Sequence, residues 1–155
     1  MALKFVSYDV VFQEVPDEVS LALNISGCPN RCPGCHSAHL MEDVGEELSV
    51  ENITSLVERY RSSITCVCFM GGDAEPALIE SLAEFVHSAF GLRSAWYSGR
   101  EVMPLKLNSF DYIKLGDYRE ECGGLSQRTT NQRMYKVADG ELEDITYIFW
   151  KNERI

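Results

Sequence analysis

The sequence predicts an α/β protein whose fold is a single-domain partial, open β/α barrel covering residues 1–155. Strand-like and helix-like segments alternate through the middle of the chain, which is typical of right-handed βαβ units and a largely parallel sheet. A closed eight-unit barrel usually needs ~250 residues, so a chain of 155 residues can form only part of one. No repeat and no Gly/Ser/Pro-rich linker divides the chain, so we expect one domain.

Two short strands are predicted before the first helix. Residues 10–14 have an extended pattern, a turn follows at residues 15–17, and Ser20–Ile25 is apolar and alternating. The second strand continues directly towards Cys28, so we expect the cysteine-bearing loop to begin at the carboxyl end of a buried strand.

Two amphipathic helices are predicted next. The first follows Ser49, a good N-cap residue; the second begins at Pro76, which suits the first helical position, and ends before Gly91. The apolar residues recur at helical spacing, at Val50, Ile53, Leu56, Val57 and Tyr60 in the first helix and at Leu78, Ile79, Leu82, Phe85 and Val86 in the second.

Further strands are predicted at residues 64–70, 94–97 and 112–115. Near the end of the chain, residues 132–137 and 145–150 flank Asp139-Gly140, a turn signal typical of a β-hairpin.

Three segments follow predicted parallel strands, namely the cysteine loop, Gly71-Gly72 and Ser98-Gly99. The active site of a parallel sheet lies at the carboxyl ends of its strands. We therefore expect these segments to meet at one rim of the sheet.

The composition argues against nucleic acid and membrane partners. Lys and Arg total 14 and Asp and Glu total 24, which gives a net charge of −10 that phosphate backbones would repel. Arg128, Arg133 and Lys136 could still form a local basic patch. The first residues lack a signal-peptide pattern, and no segment approaches the ~18 apolar residues of a membrane span. We expect a cytoplasmic protein, in which six cysteines favour metal binding or catalysis over disulfides.

The densest cysteine segment reads Cys28-Pro-Asn-Arg-Cys32-Pro-Gly-Cys35-His36, with the spacing C-x3-C-x2-C. Three thiolates on a 4Fe–4S cluster leave one iron open to a substrate, whereas four would saturate the cluster for electron transfer. Pro29, Pro33 and Gly34 keep the segment out of a helix and allow the backbone to approach a cluster closely. The motif therefore predicts a cluster ligated by Cys28, Cys32 and Cys35.

The alternative metal is structural zinc, for which His36 or His39 could supply a fourth ligand. Zinc ribbons usually use two separated ligand pairs, and the sequence has no second Cys/His pair. Cys66 and Cys68 point to the same face of a predicted strand, and we interpret them as small buried residues. Cys122 is interpreted as a loop thiol.

The C-x3-C-x2-C motif resembles that of the radical S-adenosylmethionine superfamily. Most members have an aromatic residue before the third cysteine, where this chain has Gly34. Cys-x-Gly-Cys followed by His36 is similar to the activating enzymes of anaerobic ribonucleotide reductase, which are also unusually short. The resemblance implies a partial barrel of the radical S-adenosylmethionine type.

Further segments carry the same resemblance. Phe69-Met-Gly-Gly-Asp73 is similar to the family segment that receives the amino group of the methionine moiety. The segments Phe110-Asp-Tyr-Ile-Lys-Leu-Gly-Asp-Tyr118 and Thr129-Thr-Asn-Gln-Arg133 are also similar to this subfamily, although many relatives have an acidic residue in place of Leu115.

The resemblance implies S-adenosyl-L-methionine as the second cofactor. The backbone from Gly34 through Cys35 to His36 is expected at the adenine, and Gly71, Gly72 and Asp73 at the methionine end. Lys114 is a further candidate for the cofactor carboxylate, the alternative being a solvated surface charge.

The implied activity is reductive cleavage of S-adenosylmethionine to methionine and a 5′-deoxyadenosyl radical. The radical would take a hydrogen from a backbone glycine of the large subunit of anaerobic ribonucleotide reductase, with a small redox protein as electron donor. No catalytic side chain is implied beyond the cluster and the cofactor. Two alternatives stay open: action on another glycyl-radical protein or a small molecule, and a non-enzymatic zinc-binding module.

The polar segment at residues 117–132 follows a predicted strand and is a candidate docking region for the reductase, the alternative being an ordinary surface loop. In this hypothesis Arg128 and Arg133 contact the incoming glycine loop.

Overall fold

The computed structural model describes residues 3–26, 45–101, 103–104 and 106–150. The strands among them are Lys4–Val11 (β1), Ser20–Ile25 (β2), Glu46–Glu47 (β3), Cys66–Met70 (β4), Arg93–Tyr97 (β5), Tyr112–Leu115 (β6), Arg133–Ala138 (β7) and Glu141–Asp144 (β8). The α-helices are Val50–Tyr60 (α1) and Pro76–Phe90 (α2), and short 3-10 helices cover Leu107–Ser109 and Thr146–Phe149.

The described strands form one mixed sheet in the order β3-β1-β2-β4-β5-β6-β7-β8. The central strands β2, β4, β5 and β6 are parallel, and α1 and α2 lie in the first two of their crossover connections. The outer strands pair antiparallel, so the expectation of a largely parallel sheet is wrong at both flanks. The fold is therefore of the α/β class with a mixed sheet. The curvature of that sheet into a partial barrel stays a prediction.

The antiparallel pairing of β7 with β8 follows from a short connection. Asp139 and Gly140 both have positive φ, 52° and 77°, and join β7 to β8 in the two-residue turn that the sequence predicts. Such a turn can connect only antiparallel neighbours, because parallel strands need a crossover of a dozen residues or more.

Two predicted segments near the ends of the chain are wrong. The first strand covers Lys4–Val11 and not residues 10–14, because the chain leaves the β1–β2 ladder after Val11. Residues 145–150 are not the second arm of the hairpin, because the side chain of Thr146 ends the strand there. Its hydroxyl donates to Asp144 Oδ1 at 2.6 Å and accepts from the backbone N–H of Met134 at 2.9 Å.

Both predicted helices are confirmed, and local signals set their ends. Ser49 caps α1 by accepting from the backbone N–H of Asn52 at 3.1 Å. Pro76 is the first residue of α2, and Gly91, with φ of 67°, ends that helix in the left-handed conformation. Capping of this kind stabilises a helix by ~0.5–2 kcal/mol, so these ends are fixed largely by nearby sequence.

Both helices pack against one face of the sheet. Leu21, Leu23, Val67 and Phe69 point to that face and join the apolar residues of α1 and α2 in the main core cluster. We call the opposite face the inner face. A second cluster lies on it and includes the small side chains of Ala22, Cys66, Cys68 and Ala95. Helices therefore close one side, while short side chains leave room on the other.

Residues 12–19, which we call the strap, connect β1 to β2 and lie against the inner face. Val15 is fully buried in the inner-face cluster. The hydroxyl of Tyr97, on β5, donates to the backbone carbonyl of Glu14 in the strap. The strap therefore reaches past β4 to β5 and covers part of the inner face.

Candidate functional site

The rim of the sheet is built from the carboxyl ends of its parallel strands. The register pairs Asn24 with Met70, Met70 with Tyr97, and Tyr97 with Lys114, so these residues form one row across β2, β4, β5 and β6. Gly71, the next residue after β4, continues from the same end. Of the three segments predicted to meet at one rim, Gly71-Gly72 and Ser98-Gly99 do so, after β4 and β5.

In the sequence, the cysteine motif comes after β2. The predicted ligands Cys28, Cys32 and Cys35 lie outside the described residues, as do Gly34 and His36. What the structure describes is the strand that leads towards them, which ends at Ile25.

The Gly71-Gly72 turn needs glycine at both positions. The φ angles of Gly71 and Gly72 are 109° and 89°, a region that side chains strongly disfavour. A Cβ on Gly72 would lie 2.6 Å from Ile79 Cδ1, so a side chain there would enter the core and not the inner face. The turn is tied to β5, because the N–H of Gly71 donates to the carbonyl of Tyr97 at 2.9 Å and its carbonyl accepts from Trp96 Nε1 at 2.7 Å.

Asp73 links the ends of β4 and β5. Its side chain is buried, Ser98 Oγ donates to Oδ1 at 2.6 Å, and the N–H of Gly99 donates to Oδ2 at 2.9 Å. This carboxylate thus joins two segments that the sequence predicts at one rim, Gly71-Gly72 and Ser98-Gly99.

Lys114 is buried at 8% exposure, so its interpretation as a solvated surface charge is wrong. Its Nζ donates to the carbonyls of Gly116 and Ser98 at 2.8 and 3.2 Å and lies 5.8 Å from the centroid of the Tyr97 ring. The neighbouring Leu115 lies in the main core cluster on the opposite face, so it makes no polar contact at this rim.

A cleft of about 510 Å³ opens beside Lys114. Tyr97 and Lys114 line it from the sheet, and residues 118, 123–127 and 132 line it from the segment after β6. Among the described residues that line the cleft, Lys114 has a charged side chain, which would complement a ligand carboxylate.

The segment at residues 117–132 is held by hydrogen bonds within itself. Thr129 Oγ1 donates to the carbonyl of Cys122 at 2.6 Å, Thr130 Oγ1 to that of Gly123 at 3.1 Å, and Asn131 Nδ2 to that of Asp117 at 3.0 Å. These bonds hold the segment as one wall of the cleft beside Lys114, and its role in docking stays a prediction.

The two arginines of the docking hypothesis differ in their surroundings. Arg128 is exposed, and its guanidinium lies 5.4 Å from the centroid of the Trp150 ring. Arg133 is half-buried and pairs with Asp144 across β7 and β8 at 3.6 Å. Arg128 is therefore the more accessible of the two to a partner.

A buried carboxylate that the sequence did not single out closes the other end of the inner face. Glu18 accepts from Thr65 Oγ1 at 2.6 Å and from the Tyr112 hydroxyl at 3.1 Å, and it pairs with Arg93 at 3.0 Å. Burial, and then the charge of Glu18, raise the pKa of Tyr112, so its hydroxyl remains a donor. Glu18 and Tyr112 are 94 residues apart in the chain, and no local pattern signals such a contact.

Cys66 and Cys68 are fully buried, as predicted. Burial raises the pKa of the Cys66 thiol to about 12, and burial also raises the pKa of Cys68. Both thiols stay protonated at neutral pH, which disfavours metal ligation. Within residues 3–26, 45–101, 103–104 and 106–150, no three Cys, His, Asp or Glu side chains cluster as metal ligands would.

The same described residues include no helix that is both long and apolar enough to cross a membrane. No family model matches the chain, and comparisons with curated proteins and with solved structures also found no match.

Proposed function

We propose that this protein is an iron–sulfur activating enzyme that uses S-adenosylmethionine to generate a glycyl radical on anaerobic ribonucleotide reductase. The main support for this proposal is that three features implied by the motifs lie at one rim of the sheet. The strand leading into the C-x3-C-x2-C motif, the Gly71-Gly72 turn and Lys114 all belong to the carboxyl end of the same parallel strands. This is the end at which parallel sheets bind ligands.

In this proposal Cys28, Cys32 and Cys35 hold a 4Fe–4S cluster, and the backbone from Gly34 to His36 lies at the adenine. When bound, the cluster and S-adenosylmethionine supply reductive cleavage of the S–C5′ bond and a 5′-deoxyadenosyl radical. The residues of the chain bind and orient the cofactor and exclude water from it.

The described rim residues have properties that fit the methionine end of this cofactor. Gly71 and Gly72 adopt backbone angles that glycine readily takes, and the turn they form sets Asp73 at the ends of β4 and β5. The buried ammonium of Lys114 complements a carboxylate, and Asp73, fixed by Ser98 and Gly99, could accept from an amino group.

The proposed macromolecular substrate is a glycine-bearing loop of the reductase large subunit, with a small redox protein as electron donor. The cleft beside residues 117–132 supports this part of the proposal, because its ordered wall brings a partner surface next to Lys114. A different glycyl-radical protein or a small molecule would use the same cluster and cofactor.

The experiment is anaerobic reconstitution with iron and sulfide, followed by assay of 5′-deoxyadenosine with and without the reductase. We expect cleavage in both samples and a glycyl radical, detected by electron paramagnetic resonance, only with the reductase. Cleavage without a radical on the reductase would point to another substrate. A preparation that binds zinc and no sulfide would support the zinc-binding module instead.

A further inference from the structure

Lys114 has an unusual environment for a lysine near a strand end. Lysine side chains normally extend their ammonium groups into water, but this one is buried. The two carbonyls that accept from Nζ belong to Ser98 and Gly116, and the ring of Tyr97 lies 5.8 Å away. Two of these three contacts come from the end of β5, so the position of the ammonium depends on that strand end.

Tyr97 is itself held from two sides. Its hydroxyl donates to the backbone carbonyl of Glu14 in the strap, and its own carbonyl accepts from the N–H of Gly71 at 2.9 Å. Burial raises the pKa of Tyr97, so the hydroxyl remains a donor throughout the neutral range. One residue therefore contacts the strap, the Gly71-Gly72 turn and Lys114.

We propose that Tyr97 is a positioning residue: its ring, fixed by the bond from its hydroxyl to the strap, holds the Lys114 ammonium where a ligand carboxylate enters the cleft. The identity of that ligand as S-adenosylmethionine rests on the proposed function, whereas the positioning of Lys114 does not. The ring acts by its electron-rich face, which attracts a cation most strongly where water is excluded.

The first measurement uses the unchanged protein without cofactor. An aromatic ring beside the lysine should shift the nuclear magnetic resonance signals of the Lys114 ε-methylene protons upfield of those of exposed lysines such as Lys136. We expect Tyr97→Leu to abolish this shift and Tyr97→Phe, which keeps the ring but loses the bond to the strap, to retain only part of it. The matched control is Tyr8→Leu, since Tyr8 packs against the main cluster on the helix-covered face. An unshifted Lys114 signal in the unchanged protein would overturn the proposal even if the leucine variant failed to fold.

The second measurement is the affinity of the reconstituted protein for S-adenosylmethionine. We expect Tyr97→Leu and Lys114→Met each to weaken binding about tenfold, and the double variant to weaken it little further, because both changes remove one arrangement. Tyr97→Phe should bind more tightly than Tyr97→Leu. Additive losses would overturn the positioning role. If the unchanged protein bound no S-adenosylmethionine, the proposed function would fail, and the lysine signals would still decide the positioning of Lys114.

Discussion

Ser98 donates its hydroxyl to the buried carboxylate of Asp73 at 2.6 Å, and this contact joins the ends of two neighbouring parallel strands at the rim. The two residues are 25 positions apart in the chain. Asp73 follows β4, which comes after α1, and Ser98 follows β5, which comes after α2. The rim thus has a rigid base formed by side chains that the sequence places in separate short motifs.

We expect Ser98→Ala to destabilise the protein by about 1–3 kcal/mol, because it removes a donor from a buried charged acceptor. Urea unfolding monitored by circular dichroism measures the change. The matched control is Ser81→Ala, since the Ser81 hydroxyl only donates to a carbonyl one turn back in α2. Equal losses in the two variants would show that the Asp73–Ser98 contact has no special role.

Gly72 should tolerate no side chain. Gly72→Ala places a methyl group 2.6 Å from Ile79 Cδ1 at a φ of 89°, and Gly91→Ala adds the same group at a φ of 67° with no atom within 4 Å. Both variants should lose stability through backbone strain, and Gly72→Ala should lose ~1–3 kcal/mol more through overpacking. Thermal unfolding measures both. A Gly72→Ala variant as stable as Gly91→Ala would contradict the described turn.

Stability should fall at alkaline pH. In the folded protein burial raises the pKa of the Cys66 thiol to about 12, whereas its ordinary value is 9.0. As the pH rises, the unfolded chain therefore loses the thiol proton before the folded protein does. The contribution of the protonated Cys66 thiol to the free energy of unfolding is thus present below pH 9 and is lost as the pH rises from about 9 to about 12. Denaturant unfolding of the apoprotein at pH 8 and pH 10.5 should show a smaller loss in Cys66→Ala than in the unchanged chain. An identical pH dependence in the two proteins would show that burial of the Cys66 thiol does not cause the loss of stability.

The docking hypothesis predicts that Arg128→Ala lowers the yield of glycyl radical on the reductase and leaves cleavage of S-adenosylmethionine unchanged. Arg61→Ala is the matched control, because Arg61 lies over Phe90 at 5.5 Å as Arg128 lies over Trp150 at 5.4 Å. Arg133→Ala should be tested separately, since it also removes an exposed ion pair with Asp144. Full radical yield in Arg128→Ala would leave the segment an ordinary surface loop.

The parts of the fold that the sequence predicts correctly depend on neighbouring residues. Ser49, Pro76 and Gly91 mark helix ends through bonds and backbone angles that lie within one turn. The bounds of strand β6 are also predicted to the residue. The failures at residues 10–14 and 145–150 occur where distant packing decides whether an extended segment stays in the sheet.

At the rim too, features set by neighbouring residues are predicted and features set by distant contacts are not. The motif at Gly71-Gly72 locates a turn because only glycine suits its backbone angles. By contrast, nothing near Glu18 in the sequence indicates its bonds to Thr65, Arg93 and Tyr112, which exist only after three separate segments have packed together. The burial of Lys114 against Tyr97 likewise depends on strand register and was not predicted.

The proposed cluster and its activity are tested together by measuring iron, sulfide and 5′-deoxyadenosine in one set of anaerobic preparations. The unchanged protein should bind about four iron and four sulfide ions, as a 4Fe–4S cluster requires, and should cleave S-adenosylmethionine under reducing conditions. Cys32→Ala should lose both properties, while Cys68→Ala, which alters a buried thiol on the inner face, should keep the cluster. Normal iron content and normal cleavage in Cys32→Ala would show that Cys32 does not ligate a cluster.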